Sequence, residues 1–184
     1  MRTIFSGVRL DDMPNITLVG FMGTGKTTVG RILARRLGFT FVDCDDEIER
    51  EQGVSISHIF SELGEPHFRQ LEHDMIIRLS RSDKLVISAG GGAVINPENV
   101  DNMKEGGPVV CLASSPEEIL KRVGGSTHRP LLQVPDPKSK VKELLDARAP
   151  FYARADVTIS TDGLTPEEVA DRVMEAVDGI KHDA

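Results

Sequence analysis

The chain has 184 residues, which suits one domain and requires no second; a globule of that size buries about 70% of the surface its unfolded chain exposes. Its 39% hydrophobic content supports a sizeable core, and the 4% aromatic content without Trp leaves that core to Val, Ile, Leu and Ala. With 22 Lys plus Arg against 29 Asp plus Glu, the net charge of −7 argues against general binding to nucleic acid or to an anionic membrane, so local arginines must draw any anionic ligand.

Residues 1–14 mix Arg2, Arg9, Asp11 and Asp12 among isolated apolar residues and read as a loose extension without the apolar run of a signal peptide. From there to about residue 180 one domain is expected, with 181–184 as a tail. Apolar strand-like runs at Ile16–Val19, Thr40–Val42, Leu85–Ser88, Val109–Ala113 and Val157–Ser160 alternate with segments of helical period. Val29, Ile32, Leu33 and Leu37 mark one amphipathic helix, stopped by Gly38, and Phe68, Leu71, Met75, Ile76 and Leu79 mark another. Asn96-Pro97, Ser115-Pro116 and Thr165-Pro166 each set a capping side chain before a proline suited to the first helical turn. Such alternation predicts a mostly parallel sheet covered on both faces, with ligands at the carboxyl ends of the strands.

The patternless segment 124–137 carries Gly124, Gly125, Pro130, Pro135 and Pro137, and its length predicts a functional loop. Cys44 and Cys111 lie in apolar strand-like runs without zinc or disulfide spacing, which predicts free thiols and a cytoplasmic protein. His58, His67, His73, His128 and His182 share no ligand-bearing face and read as surface or lid residues. No apolar stretch approaches the roughly 20 residues of a membrane span, so no membrane role is expected.

Gly20-Phe21-Met22-Gly23-Thr24-Gly25-Lys26-Thr27 follows a predicted strand and opens a predicted helix, which is the context a phosphate-binding P-loop needs. Its glycines let backbone N–H groups turn onto phosphate oxygens, Lys26 reaches the terminal phosphates and Thr27 offers a hydroxyl to Mg²⁺. Asp43 and Asp45 end the second strand, and if strand geometry persists both project to one face, with Cys44 on the other. One carboxylate could then hold the hydration shell of Mg²⁺ while the other orients an acceptor hydroxyl. On the residues alone, Asp45 and Asp46 read equally well as N-caps of a helix begun near Ile48. Arg69 and Arg148 read by default as solvent-facing helix residues.

The P-loop with Thr27-Thr28-Val29-Gly30, the Asp43-x-Asp45 pair, Phe68-Arg69-x-x-Glu72, Gly90-Gly91-Gly92, Arg129-Pro130-Leu131-Leu132 and Arg148-Ala149-Pro150-x-Tyr152 together resemble the shikimate kinase family from about Asn15 to Tyr152. The resemblance implies a P-loop three-layer α/β/α fold with a five-stranded parallel sheet and a mobile lid. It also implies transfer of the γ-phosphoryl group of ATP to the 3-hydroxyl of shikimate by a monomer. Gly23, Thr24, Gly25, Lys26, Thr27 and Thr28 would hold the nucleotide, with Arg122 near adenine. Asp45 would face the acceptor hydroxyl, and Asp43 and Thr27 would hold Mg²⁺, Asp43 through water.

By the same resemblance Gly90, Gly91 and Gly92 would lie against shikimate, and Arg69 and Arg148 would clamp its carboxylate with the planar fork that suits the task. Glu72 would support one of these partners, and Arg129 would close over the phosphates as the lid arginine. After Tyr152 the likeness thins, and the loop at Asp162, Gly163 and Leu164 lacks an arginine that some members carry. The competing readings are a related kinase acting on gluconate or a nucleoside monophosphate, and a nucleotide-binding protein without turnover.

Overall fold

The computed structural model describes residues 14–123 and 135–182, together with two short strands nearer the N-terminus. Those strands, β1 (Ile4–Phe5) and β2 (Val8–Arg9), pair antiparallel within the segment expected as a loose extension. Residues 124–134, which hold His128, Arg129 and most of the expected lid, lie outside the described residues.

The main sheet is built from β3 (Ile16–Val19), β4 (Thr40–Asp43), β5 (Leu85–Ser88), β6 (Val109–Ala113) and β7 (Val157–Ser160). All neighbours pair in parallel, in the order β4-β5-β3-β6-β7. The P-loop strand β3 is therefore central, and the chain leaves it at a point where the next strands diverge to either side. Such a switch point opens a crevice at the carboxyl edge of the sheet.

Alternation along the strands divides the core in two. Ile16, Leu18, Val86, Val110 and Leu112 turn to one face and meet α1 (Lys26–Leu37) and α7 (Pro166–His182) through Val29, Leu33, Val169 and Val173. Val19, Ile87, Val109 and Cys111 turn to the other face and meet α3 (Ile56–Ser80) and α4 (Pro97–Gly106) through Phe68, Met75, Ile76, Val100 and Met103. Both faces of a parallel sheet are thus closed from water, which its backbone pattern favours. A smaller cluster of Phe21, Ile119, Val123 and Val141 joins the P-loop to α5 (Pro116–Val123) and α6 (Pro137–Tyr152). The helix starts expected at Pro97, Pro116 and Pro166 are all present, as is the stop at Gly38.

Two local expectations change. Strand β4 ends at Asp43, and α2 (Cys44–Gln52) begins at once, so Asp43, Cys44 and Asp45 do not alternate along a strand. Asp43 is itself the N-cap: its Oδ1 accepts from the Asp45 backbone N–H at 3.1 Å, which satisfies a helix donor that an extended chain would not present there. Asp45 and Asp46 consequently sit in the first helical turn and are not caps, and Cys44 is helical. Cys44 and Cys111 are both buried free thiols.

His73 is the second change, because it is half-buried between α3 and α4 and not on the surface. Its Nδ1 lies 2.6 Å from Asn99 Oδ1, and the buried Asn99 amide donates to the Ala93 carbonyl at 2.9 Å.

Candidate active site

Every site residue expected from the sequence that lies among the described residues lines one open cleft of about 1450 Å³ at the carboxyl ends of the strands. At its centre the P-loop turns sharply off β3. Gly20 has φ 139° there, and a Cβ on it would stand 2.3 Å from the Leu112 carbonyl oxygen of β6. Only glycine accepts both the dihedral and the close approach. The loop ends in a glycine N-cap without a side-chain cap and without an acidic residue in the first turn of α1, so the N-terminal donors face the cleft unneutralised. Lys26 Nζ crosses the loop and donates to the carbonyl oxygens of Gly20 and Phe21 at 2.8 and 3.1 Å.

The Asp43 cap faces the same point. Thr27 Oγ1 donates to Asp43 Oδ2 at 3.1 Å, so a hydroxyl and a carboxylate converge beside the phosphate cradle. Two positions on, Asp45 Oδ1 is buried and accepts no hydrogen bond from the described residues. Burial, followed by the charges of Asp43 and Glu72, pushes its carboxyl up to about 6 against the pull of Lys26. Asp45 and Glu72 approach each other across Gly90, where a Cβ would lie 2.7 Å from Glu72 Oε1 and 3.0 Å from Asp45 Oδ1.

The arginines enter from the far side. Arg69 Nη1 donates to Glu72 Oε2 at 2.8 Å, although Glu72 itself is only 1% exposed. Burial raises the Glu72 carboxyl and the Arg69 charge opposes that rise. Gly92 lets the Arg69 guanidinium pack against the backbone, since a Cβ there would meet Nη2 at 2.7 Å. Arg148 stands over the Phe21 ring at 5.6 Å and donates from Nη1 to the Gly91 carbonyl at a long 3.4 Å. The Tyr152 hydroxyl donates to the same carbonyl at 2.7 Å, and burial pushes its pKa up to about 12. Two guanidiniums therefore flank the Gly91–Gly92 backbone while Asp45 stands at Gly90, an arrangement that can receive an anionic group with a carboxylate nearby.

On the nucleotide side, Arg122 Nη1 donates to Thr161 Oγ1 at 2.9 Å and Nη2 to the Thr161 carbonyl at 3.0 Å. Its Nε is held by Glu118 at 3.1 Å. Sequence reading passed over Glu118, Thr161 and Glu65, the last of which binds Arg69. Both glutamates lie four residues before their arginine on a helix, a spacing that could have found them. Thr161 is 39 residues from Arg122 and has no local signal.

The family model described as shikimate kinase matches residues 22–178. The shikimate kinase of Thermodesulfovibrio yellowstonii is 49% identical over 162 residues, covering 88% of this chain and 94% of that protein. A solved shikimate kinase from Acinetobacter baumannii in complex with shikimate superposes with a TM-score of 0.88 at 40% identity, covering 94% of this chain and 97% of that one. A gluconokinase from Sinorhizobium meliloti reaches a TM-score of 0.58 at 15% identity, a likeness of fold alone. The matched range holds Asp43, Asp45, Arg69, Gly90–Gly92 and Arg148, and the chain belongs to the shikimate kinase family.

Proposed function

We propose that this chain transfers the γ-phosphoryl group of ATP to the 3-hydroxyl of shikimate, giving shikimate 3-phosphate and ADP. The observation that carries the reading is the continuity of the cleft: Asp45, Arg69, Arg148 and Gly90–Gly92 line the same space as Gly23–Thr28. A carboxylated acceptor can thus lie end-on to a triphosphate.

In this mechanism the P-loop N–H groups and Lys26 hold the β- and γ-phosphates, and Lys26 exchanges its loop carbonyls for phosphate oxygens. Arg69 and Arg148 fix the ring through its carboxylate, which aims the 3-hydroxyl at Asp45. As the new O–P bond forms and the bond from phosphorus to the β-phosphate bridging oxygen breaks, Asp45 takes the hydroxyl proton. A carboxyl held near 6 suits that task, being ionised at neutral pH yet closer to the working pH than an ordinary aspartate. Arg129 would bring a further positive charge to the phosphates on closure, and Arg122 would lie beside adenine.

Thr27 and Asp43 fit Mg²⁺, which prefers a few protein oxygens and completes its shell with water and phosphate. When bound it would neutralise charge on the phosphate oxygens. The protein would act as a cytoplasmic monomer on small-molecule substrates; among the described residues no helix is long and apolar enough to cross a membrane.

ADP release measured over a panel of shikimate, gluconate and nucleoside monophosphates tests the reading. Shikimate is expected to give the highest kcat/KM, and Lys26→Ala, checked for an intact far-UV spectrum, to lose turnover. Preference for another acceptor would overturn the substrate assignment, and near-parental turnover in Lys26→Ala would overturn the nucleotide site.

A further inference from the structure

Arg69 is gripped by two carboxylates of its own helix, and they differ in kind. Glu72 takes Nη1, and its side chain is 1% exposed. Glu65 takes the other edge: Nε and Nη2 both donate to its Oε1, at 3.1 and 2.9 Å, while its side chain is 60% exposed. The Nε–Nη2 edge offers two parallel donors matched to a carboxylate. Glu65 engages it with a single oxygen. It also lines the cleft and directly follows Gly64, whose φ of 82° and ψ of 164° break the helix at that point.

We propose that Glu65 is an internal competitor for the carboxylate of the acceptor. It covers the edge of Arg69 that an acceptor carboxylate needs, and it is displaced when that carboxylate arrives with two oxygens. The contact sets a threshold for binding: an anionic acceptor can exchange with Glu65, whereas a neutral ring of the same shape has nothing to offer the guanidinium in return. The grip of an exposed carboxylate through one oxygen is weak enough to be displaced, because a solvated ion pair is screened and holds two long side chains in one geometry. The proposal rests on the reading of Arg69 as a carboxylate-binding residue.

Calorimetric titration with shikimate, paired with steady-state KM, tests it in Glu65→Gln and Glu65→Asp. The Gln variant removes the charge. The Asp variant keeps the charge but is one methylene too short to hold the same contact. Both are expected to bind shikimate about two- to five-fold more tightly, the range that release of an exposed ion pair allows. A neutral ester of shikimate should show no gain in either variant. Glu62→Gln, which makes the same change in net charge nearby on α3, should also show none. Unchanged or weaker shikimate binding in both Glu65 variants would overturn the competitor, as would an equal gain in Glu62→Gln or with the ester. Parental shikimate affinity in Arg69→Ala would instead overturn the role of Arg69 on which the proposal stands.

Discussion

Asp45 bears its charge at an energetic cost that is readable as a function of pH. Its carboxyl titrates near 6 in the fold against 3.8 ordinarily, because burial and then Asp43 and Glu72 disfavour the ionised form. A folded pKa above the unfolded one means that protonation favours the fold. The cost is fully present above about 6 and disappears below about 3.8. In metal-free buffer, Asp45→Asn should therefore be more stable than the parent at pH 8 by about 1–3 kcal/mol, with the advantage vanishing near pH 4. Urea unfolding at both pH values measures this. The parent's kcat/KM should fall on the acid side with a midpoint near 6, and Asp45→Asn should show little turnover at any pH. Equal stability of parent and variant at pH 8 would show that the carboxylate is better solvated than its burial implies.

At the scale of elements, the junction between β3, the P-loop and β6 tolerates no side chain at Gly20. The positive φ and the 2.3 Å approach to the Leu112 carbonyl both oppose a methyl group. Gly20→Ala should lose about 2–4 kcal/mol of stability from strain and overpacking combined. Its thermal midpoint should drop by several degrees, and ATP binding should weaken because the loop must move to relieve the clash. Element ends were legible where a residue has one use: Asn96-Pro97 is a helix start and little else, and Gly38 is a stop. Asp43-Cys44-Asp45 was not, since the same three residues satisfy strand alternation and a helix cap. The choice fell to a hydrogen bond from the Asp45 N–H that no periodicity encodes. His73 was read as a surface residue because its partner Asn99 lies 26 residues away.

For the whole molecule, alternation of strands and helices made the layered architecture legible, and the P-loop located the phosphate end of the cleft. The order β4-β5-β3-β6-β7 was not legible from pattern, because any right-handed crossover between parallel strands leaves the same trace in sequence. The motifs named the residues of the cleft but not their distances: Arg148 reaches Gly91 across 57 residues, and only the folded sheet makes them neighbours. The division of Arg69 between a buried and an exposed carboxylate was likewise invisible: the motif named Glu72 but gave no burial, and Glu65 lies outside it.

The break of α3 at Gly64 divides what one helix label joins. Before it, Ile56–Leu63 is anchored by Ile59 as its buried side chain, while Phe60 and Leu63 are exposed at 36% and 57%. After it, Phe68, Met75 and Ile76 are buried in the core against the sheet and Glu72 is buried in the cleft. A segment held mainly by Ile59 and by the Phe60 ring against Phe68 at 4.9 Å has little apolar anchorage and opens at a lower free energy than the helix behind it. Amide hydrogen exchange should resolve α3 into two units, with residues 57–63 exchanging at least tenfold faster than residues 70–79. Shikimate should slow the first unit much more than the second. Uniform protection along all of α3 would mean that the helix opens as one body despite the break, so that the wall of the acceptor site is as rigid as the core behind it.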